Sequence, residues 1–294
     1  MATNKVYQDK IKELKVKYDS LKNGKESLLT LIDQNEIPEN VYNSNAIENS
    51  TLTLKETEKI LLEQEVLRDV SLREVYEARN LARVIEYTKN KSKIEDISKE
   101  LIILIHQMLI GGIDDKISGR FRKRGEFVRV GTHIAPAPEN IEKLIKNALL
   151  DYSSDHIKYF IDNISKFHLE FERIHPFCDG NGRIGRVLIN FQLYKLGYPR
   201  IIIRDKEKEQ YYEAFRKYAL NKNPMLMEKV MALALIESLH KRNSYLSGSE
   251  IIELSEYVKM NKLNAPAVFN AAKRQNIPAF REQGVWKINK KYKY

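Results

Sequence analysis

The densest chemistry of this 294-residue chain lies in one short stretch, residues 175–186, which reads His175-Pro176-Phe177-Cys178-Asp179-Gly180-Asn181-Gly182-Arg183-Ile184-Gly185-Arg186. Apolar residues recur at spacings of three and four on both sides of it, which predicts a helix before it and a helix after it. Pro176 ends the first helix, and Gly180 and Gly182 permit the backbone conformations of a tight turn. The stretch is therefore predicted to be a loop between two helices, and the second helix begins near Asn181.

This loop has the features of a phosphate-binding site. The free N–H groups at a helix N-terminus attract anions, and Arg183 and Arg186, three residues apart on one face, add two guanidinium groups. Asp179 is a residue type that binds Mg²⁺ together with phosphate oxygens. The imidazole of His175, neutral near pH 7, can take a proton from an attacking hydroxyl. The pattern predicts a polyphosphate site with a general base.

The same residues permit two other interpretations. An isolated Asp-Gly-Asn-Gly run is most often a plain turn, and a lone His at a helix end is most often a cap or a core residue. The spacing Gly180-x-Gly182-x-x-Gly185, followed by Asp205, also matches a dinucleotide-binding pattern. That pattern requires a preceding strand, whereas residues 157–174 have a helical period, so a dehydrogenase is disfavoured.

Residues 175–186 resemble the signature of Fic-domain proteins, His-Pro-Phe-x-Asp-Gly-Asn-Gly-Arg-x-x-Arg, at every fixed position, and the resemblance extends over residues 40–240. It implies a mainly α fold, a Fic-type helical bundle with a β-hairpin flap. It also implies an enzyme that transfers AMP from ATP to a Ser, Thr or Tyr hydroxyl of a target protein or of itself and releases pyrophosphate. ATP as substrate and Mg²⁺ as cofactor are implied with it.

The resemblance assigns roles to residues by position. His175 would be the general base, Asp179 the Mg²⁺ ligand and Phe177 a buried anchor of the loop. The phosphates of the nucleotide would be bound by Gly180, Asn181, Gly182, Arg183 and Arg186. Tyr211 and Tyr212 are candidates for the wall of an adenine pocket, although aromatic pairs belong more often to the core.

A second segment, Ser44-Asn45-Ala46-Ile47-Glu48-Asn49, resembles the inhibitory helix of the same family, Ser/Thr-x-x-x-Glu-Gly/Asn, which precedes the core. The resemblance implies that Glu48 pairs with Arg186 and takes the place that the ATP γ-phosphate needs. A carboxylate paired with Arg competes directly with phosphate. Without the signature, a glutamate on a solvated helix face would be the ordinary interpretation.

The stretch from Glu126 to Ile134 alternates apolar and polar residues around a glycine and then meets Pro136 and Pro138, which predicts a short β-hairpin. The resemblance implies that this hairpin is a flap on which a target segment docks as an added strand. The flap residues would be Val128, Val130, Gly131 and Thr132. The alternative is that the two valines pack on the core.

Three further helix signals lie in the first 240 residues. Thr53-x-x-Glu56 and Ser71-x-x-Glu74 are capping-box patterns. The run from Leu101 to Ile110 is predicted to be a helix that is buried nearly all round.

The basic excess of the chain is concentrated at its end. The formal net charge is +10, and residues 241–294 hold 11 Lys and Arg against 4 Asp and Glu, a local net charge of +7. A turn-rich run near residue 245 supports a boundary. Three segments are predicted: N-terminal helices over 1–60 with the inhibitory segment 44–49, a catalytic core over 61–240, and a basic domain over 241–294.

This basic segment resembles a winged helix-turn-helix, a small α+β domain. The pattern predicts a helix start at residues 247–252, two short helices, and a strand-turn-strand around Gly284. Basic residues on the second helix and after the wing would suit DNA phosphates. They are Lys273, Arg274, Lys287, Lys290, Lys291 and Lys293. The alternative is a protein-docking or dimer-contact module.

Composition limits the remaining classes. The only cysteine, Cys178, excludes an intramolecular disulfide and a Cys-rich zinc site, and favours a reducing compartment. No apolar signal region follows Met1, and the longest apolar run is far shorter than a membrane span. A soluble, cytoplasmic protein without membrane contact is expected, and a homodimer is plausible by base rate.

Overall fold

The computed structural model describes residues 3–66, 69–131, 133–155 and 158–294. These residues form a mainly helical structure, as predicted. Its helices are α1 (Lys5–Lys22), α2 (Glu26–Asn35), α3 (Ile37–Ile47), α4 (Leu54–Glu58), α5 (Leu72–Lys91), α6 (Lys99–Ile110), α7 (Ile141–Ser154), α8 (Phe160–Ile174), α9 (Asn181–Lys195), α10 (Lys208–Asn221), α11 (Met225–Leu246), α12 (Leu254–Met260) and α13 (Ala265–Lys273). Its strands are β1 (Arg129–Val130), β2 (His133–Ile134), β3 (Ile251–Glu253), β4 (Phe280–Glu282) and β5 (Val285–Asn289).

The chain divides into two compact units. The first contains Ile37–Tyr198 and Ile202–Val230, and the second contains Thr3–Glu36, Pro199–Ile201 and Met231–Tyr294. The three predicted segments, with boundaries at residues 60 and 240, stay a prediction. Among the helices of the described residues, none has both the length and the apolar character that a membrane crossing requires.

The core of the first unit is built around α8 and α9. The apolar stripe predicted for α8 is buried, with Phe167, Phe171 and Ile174 at most 3% exposed. Ile184 and Leu188 of α9 are buried in the same cluster. Helix α8 packs on α7 and α9, while α5 packs on α6 and α9. Burial of these faces fixes both ends of the loop that joins α8 to α9.

The two predicted capping boxes differ in the structure. At Thr53 the box is complete, because its hydroxyl accepts the Glu56 N–H and the Glu56 carboxylate accepts the Thr53 N–H. At Ser71 only half of it forms, with the hydroxyl accepting the Glu74 N–H. The Glu74 carboxylate instead accepts the N–H of Thr51, 2.6 Å away.

Helix α6 corrects one prediction. The run Leu101–Ile110 is helical, with Ser98 as its N-cap, but it is not buried nearly all round. One face packs on α5 and α9, and Leu104, on the other face, is 40% exposed. An apolar run alone therefore overstated the burial, because exposed leucines are common on protein surfaces.

The second unit holds a three-stranded antiparallel sheet in the order β3-β5-β4. Helices α12 and α13 and the hairpin around Gly284 are present as predicted. The helix start predicted at residues 247–252 is wrong, because Ile251–Glu253 is a strand. It pairs with residues 287–289 of β5, so its conformation is determined by a partner far along the chain.

Candidate active site

The loop between α8 and α9 begins at His175 in the left-handed region, with φ 49°. The N–H of His175 donates to the Phe171 carbonyl at 2.9 Å, which closes the end of α8. Gly180, with φ 81°, precedes α9, which begins at Asn181 as predicted. The first turn of α9 has N–H groups without helical partners, so it is a suitable place for an anion.

The loop is held from inside by Phe177 and Asn181. Phe177 is fully buried, as the resemblance implies, and its ring stacks on His106 with centroids 3.7 Å apart. The Asn181 side chain accepts the Phe177 N–H at 2.9 Å and donates to the Phe177 carbonyl at 2.8 Å. Asn181 therefore braces the loop with its side chain, which leaves only its backbone to face a phosphate.

His106, on α6, is a residue that the sequence did not point to. Its Nδ1 atom accepts the Gly119 N–H at 3.0 Å, and its Nε2 atom donates to the Asp179 carbonyl at 3.1 Å. Burial lowers the pKa of His106 to about 4, so the ring stays neutral at pH 7. A lone histidine in an apolar run has no signal that would relate it to a loop 70 residues away.

Arg186, on α9, lies under the segment that resembles the inhibitory helix. Its Nε atom donates to the Ser44 hydroxyl at 2.9 Å, and its Nη2 atom donates to the Ser44 carbonyl and to the Glu48 carboxylate, each at 2.8 Å. Although burial opposes the charge, the Glu48 carboxylate raises the pKa of Arg186. A Cβ atom at Gly182 would overlap the Glu48 carboxylate, so the glycine admits this pair. The contact between Glu48 and Arg186 is present as expected.

Arg183 belongs to a ring of four charges that the sequence did not predict. It contacts Glu77 of α5 at 3.1 Å and Asp179 at 3.0 Å. Arg73, one turn before Glu77, contacts that glutamate at 3.0 Å and also bonds Asp179. Burial opposes ionisation of Asp179, but Arg183, the Gly180 N–H and Arg73 hold its pKa below the ordinary value.

His175 lies in a buried position beside Glu172. Its Nδ1 atom is 3.7 Å from the Glu172 carboxylate, and its side chain is 15% exposed. Burial lowers the pKa of His175 to about 4, while burial and the charge of Glu48 raise the pKa of Glu172 to about 8. At pH 7 the pair is therefore a neutral imidazole beside a protonated carboxyl, which leaves His175 free to accept a proton.

Asp179 fits a magnesium ligand. Its side chain is 32% exposed and ionised. In the described ranges no group of three or more His, Cys, Asp or Glu side chains converges on one point. A single carboxylate beside a phosphate site suits Mg²⁺, which takes few protein ligands and completes its coordination with phosphate oxygens and water.

The predicted hairpin is present. Strand β1 pairs with β2 in antiparallel register, Arg129 with Ile134 and Val130 with His133. Val130 is 46% exposed, so it does not pack on the core, and Val128 is half-buried.

One of the predicted flap residues, Gly131, lies in the turn of this hairpin. Gly131 is exposed, with φ 58°. Thr132 lies outside the described residues. The Nε2 atom of His133 bonds the Arg173 carbonyl at 2.8 Å and ties the second strand to α8.

The two tyrosines of α10 have different surroundings. Tyr211 is buried, with its hydroxyl 2.7 Å from His168, so it belongs to the core. Tyr212 is half-buried and donates its hydroxyl to the Ile47 carbonyl at 2.8 Å. Tyr212 therefore contacts the segment that carries Glu48, and its role as an adenine wall stays a prediction.

The site as a whole combines a helix N-terminus, two arginines, an ionised aspartate and a neutral histidine beside a hairpin. Residues 96–193, which hold most of it, match the Fic/DOC family model. These residues form a Fic domain. The predicted resemblance to the Fic family is thus confirmed over these residues, and the role of the hairpin as a flap stays a prediction.

Curated relatives match about 60% of this chain. The protein adenylyltransferase Fic of Nematostella vectensis is 36% identical over 180 residues, which are 60% of this chain and 42% of that protein. The protein of the same name from Drosophila erecta is 32% identical over 178 residues, 59% of this chain and 35% of that protein. The chain thus spans less than half the length of these relatives.

Solved structures confirm the fold of the Fic domain. A Fic-domain-containing signalling protein from Bacteroides thetaiotaomicron has a TM-score of 0.73 at 25% identity, over 82% of this chain and 98% of that chain. A Fic family protein from Desulfovibrio desulfuricans has a TM-score of 0.64 at 20% identity, over 97% of each chain. The second likeness concerns the fold alone.

Proposed function

We propose that this chain is a protein adenylyltransferase, a nucleotidyltransferase that moves AMP from ATP to a Ser, Thr or Tyr hydroxyl of a target protein or of itself. The observation that carries the proposal is the position of the Glu48 carboxylate. It pairs with Arg186 of α9 and lies beside Gly182 in the first turn of that helix. A carboxylate seated beside a helix N-terminus marks the place of a phosphate. The names of the curated relatives support the same activity.

The phosphates bind at the start of α9. The backbone of Asn181 and Gly182 offers N–H groups, while Gly180, whose own N–H donates to Asp179, forms the turn that leads into the helix. Arg183 and Arg186 contribute charge toward the β- and γ-phosphates. Catalysis then consists of positioning and electrostatic stabilisation of an in-line displacement. Asp179 would hold Mg²⁺, which would neutralise charge on the phosphates.

In the chemical step one bond forms, one bond breaks and one proton moves. The target hydroxyl oxygen bonds to the α-phosphorus, the bond between that phosphorus and the α,β-bridging oxygen breaks, and pyrophosphate leaves. The hydroxyl proton passes to His175, which is neutral at pH 7 because of its burial. The Nδ1 atom of His175 is buried, so Nε2 is the atom that accepts the proton.

The target segment docks on the flap. The exposed Val130 and Gly131 in the hairpin offer a strand edge, to which an extended peptide adds through main-chain hydrogen bonds. Val128 and Thr132 are the other flap residues in this proposal. Docking there would bring the target hydroxyl to His175, because His133 ties the hairpin to the end of α8.

The intact chain is inhibited by its own Glu48 in this proposal. The carboxylate occupies Arg186 and repels the γ-phosphate, so ATP binds in an unproductive position or weakly. Ser44 supports the inhibitory pair by accepting two hydrogen bonds from Arg186. Removal of the Glu48 side chain therefore activates the enzyme.

The test is incubation of wild type, Glu48→Gly and His175→Ala with Mg²⁺ and ATP labelled at the α-phosphate, and in parallel at the γ-phosphate. We expect covalent label from the α-phosphate alone, stronger in Glu48→Gly and lost in His175→Ala. Label from the γ-phosphate would instead mean a kinase-like transfer. Absence of label in Glu48→Gly would contradict adenylyl transfer and favour removal of AMP, or transfer of another phosphate-linked group, as the activity of this Fic domain.

A second candidate function is a DNA-binding regulator with Fic-dependent self-modification. The observation that favours it is the exposed face of α13, which presents Asn270, Lys273 and Arg274. Part of the basic excess of residues 241–294 is unavailable, since Lys241 and Arg242 are buried in ion pairs with Glu36. A winged-helix domain, a homodimer and a cytoplasmic location are further parts of this proposal.

DNA binding is tested on the full chain with duplex DNA at increasing salt. Lys273→Gln combined with Arg274→Gln should weaken binding and flatten its salt dependence by about two phosphate contacts. Lys259→Gln on the neighbouring helix α12 is the matched control. Binding that is absent in wild type, or unaffected by the double substitution, would favour a protein-docking module.

A further inference from the structure

Arg122 is a buried arginine that bonds backbone rather than acid. It is 3% exposed, and within the described part of the chain it forms no ion pair. Its side chain donates to four carbonyl oxygens: those of His175, Glu126 and Pro136 at 2.9 Å each, and that of Ile174 at 3.3 Å. The backbone N–H of Arg122 donates to the Pro176 carbonyl at 2.9 Å.

These acceptors belong to three parts of the site. Ile174 and His175 end α8 and begin the signature loop. Glu126 precedes the first strand of the hairpin, and Pro136 follows the second. One side chain therefore joins the backbone of the candidate base to both ends of the flap.

The shape of the guanidinium suits this task. Arginine has five N–H donors in a rigid planar fork. The four side-chain hydrogen bonds of Arg122 use all three of its nitrogens. A lysine at the same place has one nitrogen on a flexible stem and cannot reach acceptors on three segments at once. Burial also lowers the pKa of Arg122, and the nearby Cys178 and Glu126 offset this effect only in part.

The backbone of His175 needs such support. Its φ of 49° is a left-handed conformation that non-glycine residues adopt rarely and hold only when their surroundings impose it. The N–H of His175 is fixed by Phe171, and its carbonyl by Arg122. Both peptide groups of this residue are thus bonded, which fixes the direction of the Cα–Cβ bond that carries the imidazole.

We propose that Arg122 is a positioning residue that sets His175 and the flap in register, so that a hydroxyl docked on the flap meets the base. The inference rests on the proposed adenylyl transfer. It adds that Arg122 couples the docking of the target to the removal of its proton. Arg122 is buried and its donors are used on backbone carbonyls, so the proposal gives it no contact with nucleotide or target. Its effect is therefore on the rate of transfer and not on nucleotide binding.

The test uses the full chain in the Glu48→Gly background, with Arg122→Lys, Arg122→Gln and Arg120→Gln as the control. Arg120 lies two residues away and pairs with the side chain of Glu126, but it donates to no carbonyl of the signature loop. The measurements are the rate of self-labelling at saturating ATP, the affinity for a fluorescent ATP analogue, the melting temperature, and the imidazole NMR signal of His175, assigned by its loss in His175→Ala.

We expect both Arg122 variants to label about 100-fold more slowly, the loss typical of a misplacement near 1 Å, while analogue affinity changes by less than about 3-fold. The His175 signal should shift in Arg122→Lys and not in Arg120→Gln. A folded Arg122→Lys that keeps its rate and its His175 signal, with only a lower melting temperature, would overturn the inference. If Glu48→Gly itself fails to label, the proposed function fails, and the His175 signal alone then decides the positioning role.

Discussion

Glu48 and Arg186 form an ion pair of unequal burial, with Oε1 2.8 Å from Nη2, the arginine 7% exposed and the glutamate 39% exposed. The arginine side is fixed by two further bonds to Ser44. The glutamate side is held by this contact alone among the hydrogen bonds of its carboxylate in the described residues. A phosphate that reaches Arg186 therefore competes with one carboxylate and not with a rigid network.

Removing that carboxylate should strengthen nucleotide binding. A hydrogen bond to a charged group contributes about 1.5–3 kcal/mol, so Glu48→Gly should bind a fluorescent ATP analogue roughly 10- to 100-fold more tightly. Glu48→Gln, which keeps the size and removes the charge, should lie between. The control is Glu86→Gln on an exposed position of α5, and affinity equal to wild type in Glu48→Gly would contradict direct competition.

Removal of the Arg73 charge should strengthen the binding of a divalent cation at Asp179. Arg73 is a competing positive charge on Asp179, and it is 55% exposed, so the pair is partly screened by water. Arg73→Gln should therefore raise the affinity for Mn²⁺ in the presence of ATP by a modest factor, about 2- to 5-fold. Electron paramagnetic resonance of free Mn²⁺ measures it, Arg79→Gln on the same helix is the control, and a lower affinity in Arg73→Gln would show that Arg73 assists the metal.

Glu172 should make the stability of the chain depend on pH. Its pKa is raised to about 8 in the folded chain from 4.5, so the folded state holds a proton that the unfolded state has lost between these values. The free energy of unfolding contributed by this group therefore falls as the pH rises through that window. Glu172→Gln does not titrate at this position. The melting temperature of the variant minus that of wild type should therefore increase from pH 4.5 to about 8. A constant difference between the two melting curves would mean that Glu172 is ionised throughout.

The side chain of Asn181 should contribute to the stability of the fold rather than to phosphate binding. Its side chain makes two hydrogen bonds to the backbone of Phe177, and it is 2% exposed. Asn181→Ala leaves both backbone groups without that partner, which should lower the free energy of unfolding by about 2–3 kcal/mol. Urea denaturation measures the loss, and a variant that is as stable as wild type but binds ATP weakly would assign the side chain to the nucleotide instead.

The sequence predicted the parts of the site that lie close together along the chain. The loop between two helices and the start of α9 near Asn181 follow from glycine, proline and the helical period, whereas the burial of Phe177 followed from the family resemblance. The pair between Glu48 and Arg186 followed from two recognised segments. Local patterns and family motifs are the signals that a single sequence carries.

The parts that sequence could not predict depend on partners far apart in the chain. Arg73 and Asp179 are 106 residues apart, and neither lies in a pattern that relates it to the other. Arg122 is one of several basic residues between Gly119 and Glu126, and only the packed structure distinguishes the buried one. The strand β3 likewise required its partner β5, because three residues without a ladder have no preferred conformation.

The unequal burial of the Glu48 pair bears on how completely the proposed inhibition would block Arg186. Ser44 is buried, whereas the Glu48 side chain reaches solvent, so the carboxylate can rotate away while the backbone of α3 stays in place. Rotations of exposed side chains take picoseconds to nanoseconds, far less than a catalytic turnover. Under the proposed inhibition the resting chain would visit its open form many times between turnovers, and its background activity would measure the fraction of time that Arg186 is vacant.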